Sequence, residues 1–167
     1  MIRIGTAHTL APYEALTGRQ LAMTRDIVDA CNGMRATPYG RQGEDMGNMN
    51  ALALCAELAF CSLANVYPDL NVAARAFRRY DCKLPCGTTV DVKHSQKDGA
   101  WLKVKKTDGE KADLFVLMTG DHRKMVFRGA ATREELIRPE RLYTDGVDHP
   151  FYAMHQRELS SISRKDG

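Results

Sequence analysis

The sequence predicts an α/β fold, with a central mixed β-sheet flanked by helices in a single domain. Two observations predict it: helical patterns precede residue 68, and short segments with strand character follow residue 80. A chain of 167 residues has the usual size of one domain and can bury a proper core. We divide it into an N-terminal helical region (1–49), a core (50–159) and a tail (160–167) that is expected to fray.

Two helices are expected in the first part of the chain. The first spans residues 17–31 and ends at Asn32-Gly33, a favourable stop. At helical spacing, its predicted apolar face consists of Leu21, Thr24, Ile27, Val28 and Cys31. Residues 37–50 are rich in Gly, Asn and Pro and are predicted to form a loop.

The second helix, residues 50–67, is apolar nearly all round, which is typical of an interior helix. Glu57 is its only charged residue. A buried carboxylate is costly unless it is paired, protonated or close to a metal. Two interpretations of Glu57 therefore stand. We favour a place in a functional site, and the alternative is a salt bridge to an arginine or a gap open to solvent.

Residues 80–95 have the pattern of a β-hairpin, which is the segment that carries most of the chemistry. The turn is Pro85-Cys86-Gly87, since proline presets φ and glycine accepts a positive φ. The strand that follows is β-branched and alternating, which places Thr89, Asp91 and Lys93 on one face. The two valines between them, at positions 90 and 92, then point into a core.

A turn centred on Cys86 places Asp81 opposite Asp91, because each lies five residues from the centre. Directly opposed Cβ atoms are about 4.5–5.5 Å apart, and like charges there repel each other. Two carboxylates and Lys93 on one patch therefore favour a bound cation. Mg²⁺ takes oxygen ligands, usually one or two carboxylates with water and substrate phosphate, so we expect Mg²⁺, with Mn²⁺ as a substitute.

Three later segments are predicted to be strands. Residues 101–105 alternate Trp101, Lys103 and Lys105 with apolar residues, which is typical of a half-exposed strand. Residues 113–118 are continuously apolar, which predicts a central strand buried on both faces. Residues 125–130 form the next strand, and Thr132 with Glu135 makes a capping box that opens a helix.

The spacing of Asp81 and Asp91-Val92-Lys93 resembles the active-site motif of the PD-(D/E)XK nuclease superfamily, which has the restriction-endonuclease-like fold. A helix bearing Glu57 precedes the motif, as a glutamate-bearing helix does in many members. Residues 112–118 and 125–136 look like the family's two following strands and the start of its next helix. The resemblance covers residues 50–159 in order, and its last ten residues are similar to the closing segment of small phage and bacterial members.

The resemblance implies a Mg²⁺-dependent nuclease that hydrolyses phosphodiester bonds, with a DNA endonuclease as the preferred assignment. It implies that Asp81 and Asp91 bind the metal, that the backbone carbonyl of Val92 is a further ligand, and that Glu57 binds directly or through water. Lys93 would orient or activate the attacking water. The alternative is a non-catalytic module on the same fold that binds nucleic acid or a protein.

Asp69 competes with Asp81 for the first position of the motif, because Pro68-Asp69 matches the letters PD literally. Asp69 follows the end of a helix, where no strand geometry orients its side chain, and a turn aspartate is the simpler interpretation. Asp81 lies opposite Asp91 in the predicted hairpin. We therefore prefer Asp81 as the ligand.

Basic residues concentrate around the hairpin. Residues 71–111 contain ten Lys and Arg against five Asp and Glu, whereas the whole chain has a net charge of +3. A local basic field favours a polyanion, and we assign Arg78, Arg79, Lys103 and Lys105 to nucleic-acid binding. A solvated charged face is the simpler alternative.

The compartment follows from what the sequence lacks. No apolar run is long enough to span a bilayer and the first residues have no signal-peptide core, so we expect a cytoplasmic protein without a membrane partner. Its five cysteines form no regular framework, which is typical of reduced thiols. The sequence leaves open DNA versus RNA, endo- versus exonuclease, target specificity and whether the chain forms a homodimer.

Overall fold

Two long helices and eight strands, most of the strands short, make up the described fold. The computed structural model describes residues 1–33, 44–72 and 80–163. In chain order the elements are β1 (Ala7–Thr9), α1 (Pro12–Cys31), α2 (Glu44–Ala64), β2 (Cys82–Lys83), β3 (Thr89–Ser95), β4 (Trp101–Lys105), β5 (Leu114–Gly120), β6 (Lys124–Thr132), α3 (Arg133–Leu136), β7 (Leu142–Tyr143) and β8 (Phe151–His155). Single 3₁₀ turns follow β4, α3 and β8. In the described part of the chain, no helix is long and apolar enough to cross a membrane.

The central sheet has five strands in the order β1-β6-β5-β3-β2. β3 and β5 run parallel, whereas the other neighbouring pairs are antiparallel, so the sheet is mixed. β5 lies in the middle and six of its seven residues are buried, as its continuous apolar sequence predicts. The predicted α/β fold class with a central mixed sheet is confirmed.

The two faces of this sheet are covered differently. α2 packs on one face, where Phe60 stacks on Phe127 at 6.3 Å between ring centroids, and α1 packs on α2. The valines of β3, positions 90 and 92, are buried in this core as expected. The opposite face is covered mainly by a second sheet, in the order β4-β8-β7, with the single turn of α3 beside it. Leu102 and Val104 of β4 point into that second core.

The predicted apolar face of α1 is wrong. Ile27 is 61% exposed, and Thr24 and Cys31 are exposed as well. The buried residues of α1 are Gly18, Ala22, Arg25 and Asp29. A Cβ added at Gly18 would lie 3.1 Å from the Sγ of Cys55 on α2, so small residues are what allow the two helices to approach.

Both ends of α2 differ from the prediction. The helix begins at Glu44, so residues 44–50 are helical where a loop was expected, and residues 37–43 of that loop lie outside the described residues. Two acidic residues at its start favour a helix N-terminus and outweigh the Gly and Asn content. The helix ends at Ala64, and Asn65 follows with a φ of 55°, a common conformation just past a helix end.

The start of the tail is ordered, which corrects the expectation of fraying. Ser160 exchanges two backbone hydrogen bonds with Ala130 of β6, at 2.8 and 2.9 Å. Ile162 pairs in the same way with Ile2 and is buried in the core. Residues 164–167 lie outside the described residues.

Gly129 is the position in β6 that accommodates this tail. Its φ is +127°, and a Cβ there would lie 2.5 Å from the Cβ of Leu159. We predict that Gly129→Ala lowers the free energy of unfolding by about 2 kcal/mol or more, because strain and overpacking add. Gly99→Ala is the matched control: its φ is +71° but its Cβ would meet nothing within 4 Å. Urea unfolding with equal losses for the two variants would contradict a steric role for Gly129.

Candidate functional site

The hairpin has the register that the sequence predicts. Cys82 pairs with Val90, and the next residue of β2 pairs with the preceding residue of β3. Asp81 lies one residue before the first paired residue of β2, and its N–H donates to the Val90 carbonyl at 2.8 Å. Gly87 closes the turn with a φ of +97°. The register of the paired residues is the predicted one, whereas the direct opposition of Asp81 and Asp91 stays a prediction, since the paired residues end at Cys82 and Val90.

The Asp81 side chain bends back to the β3 backbone. Its Oδ2 accepts a hydrogen bond of 2.6 Å from the Val92 N–H. Since the N–H and C=O of one strand residue point to the same side, the Val92 carbonyl also faces the side on which Asp81 lies. This orientation fits the role that the resemblance implies for Val92.

Asp91 and Lys93 lie on the same face of β3, as predicted. The Nζ of Lys93 lies 2.8 Å from each of the two carboxylate oxygens of Asp91. Asp91 is buried, whereas Lys93 is half-buried. The pair therefore presents an ammonium group toward solvent above a buried carboxylate.

Glu57 approaches from α2 and is paired with an arginine that the sequence analysis missed. The Nη1 of Arg25 lies 3.3 Å from the Oε2 of Glu57, and both side chains are buried. Arg25 also donates from Nη2 to the backbone carbonyl of Asp69 at 2.7 Å. The available signal was its spacing on α1: Arg25 lies on the same helical face as Gly18 and Ala22, which pack against α2.

Arg25 is the less completely satisfied member of this pair. Its Nε is buried and makes no hydrogen bond within the part of the chain that the structure describes. Arg25 therefore ties α1 to α2 and to the segment before the hairpin, and the salt bridge named as the alternative for Glu57 is present. A carboxylate has two oxygens and can accept further partners, so the pair does not exclude a site role for Glu57.

The electrostatics show that the four predicted site residues act on one another. The pKa of Glu57 is raised to about 7. Burial is the largest cause, Arg25 acts in the opposite direction, and the charge of Asp91 adds to the rise. Burial raises the pKa of Asp81 as well, and the charges of Glu57 and Asp91 add to the effect. The pKa of Glu57 is thus sensitive to the charge of Asp91, and the pKa of Asp81 is sensitive to the charges of Glu57 and Asp91.

The pKa of Lys93 is also raised. Burial acts to lower it, but the charges of Asp91 and Asp81 outweigh burial. A bound cation would act in the opposite direction, because a like charge lowers the pKa of an ammonium group. Lys93 is therefore firmly protonated and supplies a positive charge at the patch.

Asp69 has the local role that a turn aspartate has. Its carboxylate accepts a hydrogen bond of 3.0 Å from the Asn71 N–H, two residues on. Its backbone N–H donates to the Asp81 carbonyl at 2.7 Å, so Asp69 supports the hairpin through its main chain. This arrangement favours Asp81 as the first aspartate of the site.

The residues assigned to nucleic-acid binding lie in the second sheet or outside the described residues. Lys103 is exposed and Lys105 is half-buried, and both lie on the outer face of β4 in the second sheet. Arg78 and Arg79 fall in residues 73–79, outside the described residues.

The donor set suits a hard cation such as Mg²⁺. Asp81, Asp91, Glu57 and the Val92 carbonyl offer oxygen atoms, and Mg²⁺ needs only one or two carboxylates when water and phosphate complete its shell. Over residues 1–33, 44–72 and 80–163, no group of three or more His, Cys, Asp or Glu side chains is arranged to hold a metal ion by itself.

Comparisons with family models, curated proteins and solved structures find no match to this chain. The motif residues and their geometry thus carry the functional argument.

The buried carboxylates predict how stability depends on pH in the presence of chelator. The pKa of Glu57 is 4.5 in an ordinary environment and about 7 here, so between these values the folded protein keeps a proton that the unfolded chain releases. The free energy of unfolding should therefore fall as the pH rises from about 4.5 to about 7. Urea unfolding at pH 5, 6 and 7 measures this fall.

Glu57→Gln should make this decrease in the free energy of unfolding smaller. It should not abolish the decrease, because the pKa of Asp81 is raised as well. Glu110→Gln, at an exposed glutamate, is the matched control and should leave the fall unchanged. An equal fall in Glu57→Gln and in the parent protein would show that Glu57 is not the group that titrates.

Proposed function

We propose that the protein is a metal-dependent nuclease that hydrolyses phosphodiester bonds, with DNA as the preferred substrate. The observation that carries the proposal is the contact of the Asp81 carboxylate with the β3 backbone at Val92, with Lys93 against Asp91 and Glu57 within electrostatic range of both aspartates. This set is what the resemblance to the PD-(D/E)XK superfamily implies for its active site. Cytoplasmic localisation belongs to the same proposal.

Asp81 and Asp91 are the residues that would hold Mg²⁺, with the Val92 carbonyl as a further oxygen ligand. When bound, the ion would lower the pKa of water and neutralise charge on the phosphate. Burial favours this arrangement, because Asp81 and Glu57 bear the energetic cost of losing solvent and a cation would offset it. Glu57 is held by Arg25, and under this proposal it binds the ion directly or through a water molecule.

Lys93 supplies the positive charge at the reacting group. Its ammonium is held by Asp91 and is partly open to solvent, so it can reach a phosphate that approaches the two aspartates. A protonated lysine suits charge stabilisation and the positioning of water better than proton abstraction. Its raised pKa therefore favours the orienting role among those that the resemblance implies.

The second candidate function is a binding module without catalysis. The observation that favours it is charge compensation: Asp91 is paired with Lys93, and Glu57 with Arg25. Paired in this way, the cluster can stabilise the fold without any ligand. Cleavage distinguishes the two functions, because a pairing role predicts a stable protein that cuts nothing.

The sharpest test is the rate of cleavage of circular and linear DNA and of RNA at saturating Mg²⁺, with chelator as the blank. Lys93→Ala should lower the rate by roughly a hundred-fold or more, because it removes charge stabilisation in the transition state. Lys93→Arg should not restore the rate, since a planar guanidinium places its donors differently. Asp91→Asn should abolish cleavage.

Lys97→Ala is the matched control, since Lys97 is an exposed lysine just beyond the same strand, and it should cut like the parent protein. Thermal melting of each variant confirms that it is folded. A folded Lys93→Ala variant that cuts as fast as the parent would remove Lys93 from the mechanism. A parent protein that cuts none of the substrates would favour the binding module.

A further inference from the structure

The outer face of the second sheet collects aromatic and basic side chains. In the antiparallel pairing of β4 with β8, Trp101 lies opposite His155 and Lys105 lies opposite Phe151. Tyr143 of β7 lies opposite Phe151 on the other side. Strand alternation puts all of these residues on one face, with the apolar residues between them on the inner face. We name this face the platform and define it as Trp101, Lys103, Lys105, Tyr143, Phe151 and His155.

The aromatic rings of the platform hold one another in place. Trp101 meets His155 edge to face at 5.1 Å between centroids and Tyr143 at 6.3 Å. Tyr143 stacks on Phe151 at 5.4 Å, and the Nζ of Lys103 lies 5.0 Å from the centre of the Phe151 ring. Aromatic pairs in these geometries attract each other beyond the area they bury, and so does an ammonium group above a ring. The platform is therefore a preformed surface.

The platform is nevertheless open to solvent. Trp101 is 43% exposed and Tyr143 is 45% exposed, although large aromatic side chains usually gain by burial. Ala153, opposite Lys103, is small and buried, so it leaves a flat floor between the rings and the lysines. Exposed aromatic rings grouped on one face are typical of a binding surface.

The charge of the platform identifies the kind of partner. β4, β7 and β8 contain Lys103 and Lys105 and no acidic residue. Lysines beside exposed rings attract a polyanion whose flat groups can stack. Single-stranded nucleic acid meets both conditions, because its phosphates pair with lysines and its bases are free to stack on aromatic rings. A duplex keeps its bases in the helical stack and offers the platform only its phosphates.

The platform strand β4 contacts β3, the strand that carries Asp91 and Lys93. Asp108 ends the 3₁₀ turn that follows β4, and although burial acts to raise its pKa, the neighbouring Lys111 and the charges of Lys93 and Lys105 lower it. Asp108 therefore lies within electrostatic range of both the lysine of the site and the lysine at the end of β4. Along β4, Trp101 lies about 13 Å from Lys105 at the usual rise of a strand.

We propose that the platform binds single-stranded nucleic acid, with bases stacked on Trp101 and Tyr143 and phosphates paired with Lys103 and Lys105. This inference rests on the proposed function, since it names the strand state of the same substrate. A strand bound along β4 would enter the site from the side of Lys105 and present a phosphate there. The platform thus favours substrates with an unpaired segment next to the cleaved bond.

Trp101 offers a direct probe, because it is the only tryptophan of the chain. We predict that oligo-dT added in the presence of chelator quenches its fluorescence, and that an equal amount of duplex quenches it far less. Oligo-rU is the second arm and distinguishes DNA from RNA. Added salt should weaken the binding, because phosphate contacts release counterions.

Variants test the stacking by anisotropy of a labelled oligo-dT. Trp101→Ala and Tyr143→Ala should each weaken binding about five-fold or more, the lower end of what one stacked base contributes, whereas Trp101→Phe should retain most of it. Tyr13→Ala removes a more accessible ring on α1 and should change nothing. Lys103→Ala should weaken binding and reduce its salt dependence, whereas Lys124→Ala at an exposed position of β6 should not.

The outcomes separate the two proposals. Quenching by single strands without any cleavage in Mg²⁺ would support the platform and contradict the nuclease. Cleavage without quenching, or with platform variants that bind like the parent, would overturn the platform and leave the nuclease standing. Equal binding of duplex and single strand would contradict the proposal that bases stack on the platform. Self-association that Trp101→Ala abolishes, with no binding of oligonucleotides, would assign the face to a protein contact instead.

Discussion

The proximity of the Asp81 and Asp91 carboxylates beside a short hairpin is the constraint on which the rest of the site depends. Both carboxylates lie at the edge of a core, and Glu57 adds a third from the interior helix, so each loses solvent beside another negative charge. Two positively charged side chains compensate these carboxylates. Lys93 lies on the same strand face as Asp91 and pairs with it, and Arg25 extends from α1 to pair with Glu57. The packing of α1 on α2 through small residues is what lets Arg25 reach that position.

The hairpin and the central strands were predictable because their signals are local. The Pro-Cys-Gly turn sets the register, the alternation after it sets the faces, and the apolar run of β5 predicts a strand in the middle of the sheet. These local signals place Asp81, Asp91 and Lys93 without knowledge of the tertiary structure. The burial of Glu57 was predictable because it is the only charged residue of an apolar helix.

Arg25 and the second sheet were not predictable because they depend on distant partners. A search for large apolar residues places the wrong face of α1 inward, since Gly18 and Ala22 are small and Arg25 is charged. β4 pairs with β8, which follows it by some fifty residues, and no periodicity within β4 announces that pairing. The same pairing creates the platform, so its aromatic residues appear unrelated in the sequence. Ordering of residues 160–163 depends in the same way on Ala130 and Ile2.

Binding of Mn²⁺, a spectroscopic substitute for Mg²⁺, tests most directly whether Asp81 and Asp91 form a cation site. Electron paramagnetic resonance measures free Mn²⁺ during a titration of the protein, in the presence and absence of a non-cleavable phosphate diester. The account predicts binding that strengthens with the diester, that is lost in Asp81→Asn and in Asp91→Asn, and that is retained in Asp69→Asn. Equal binding by the parent protein and the two variants at positions 81 and 91 would contradict it.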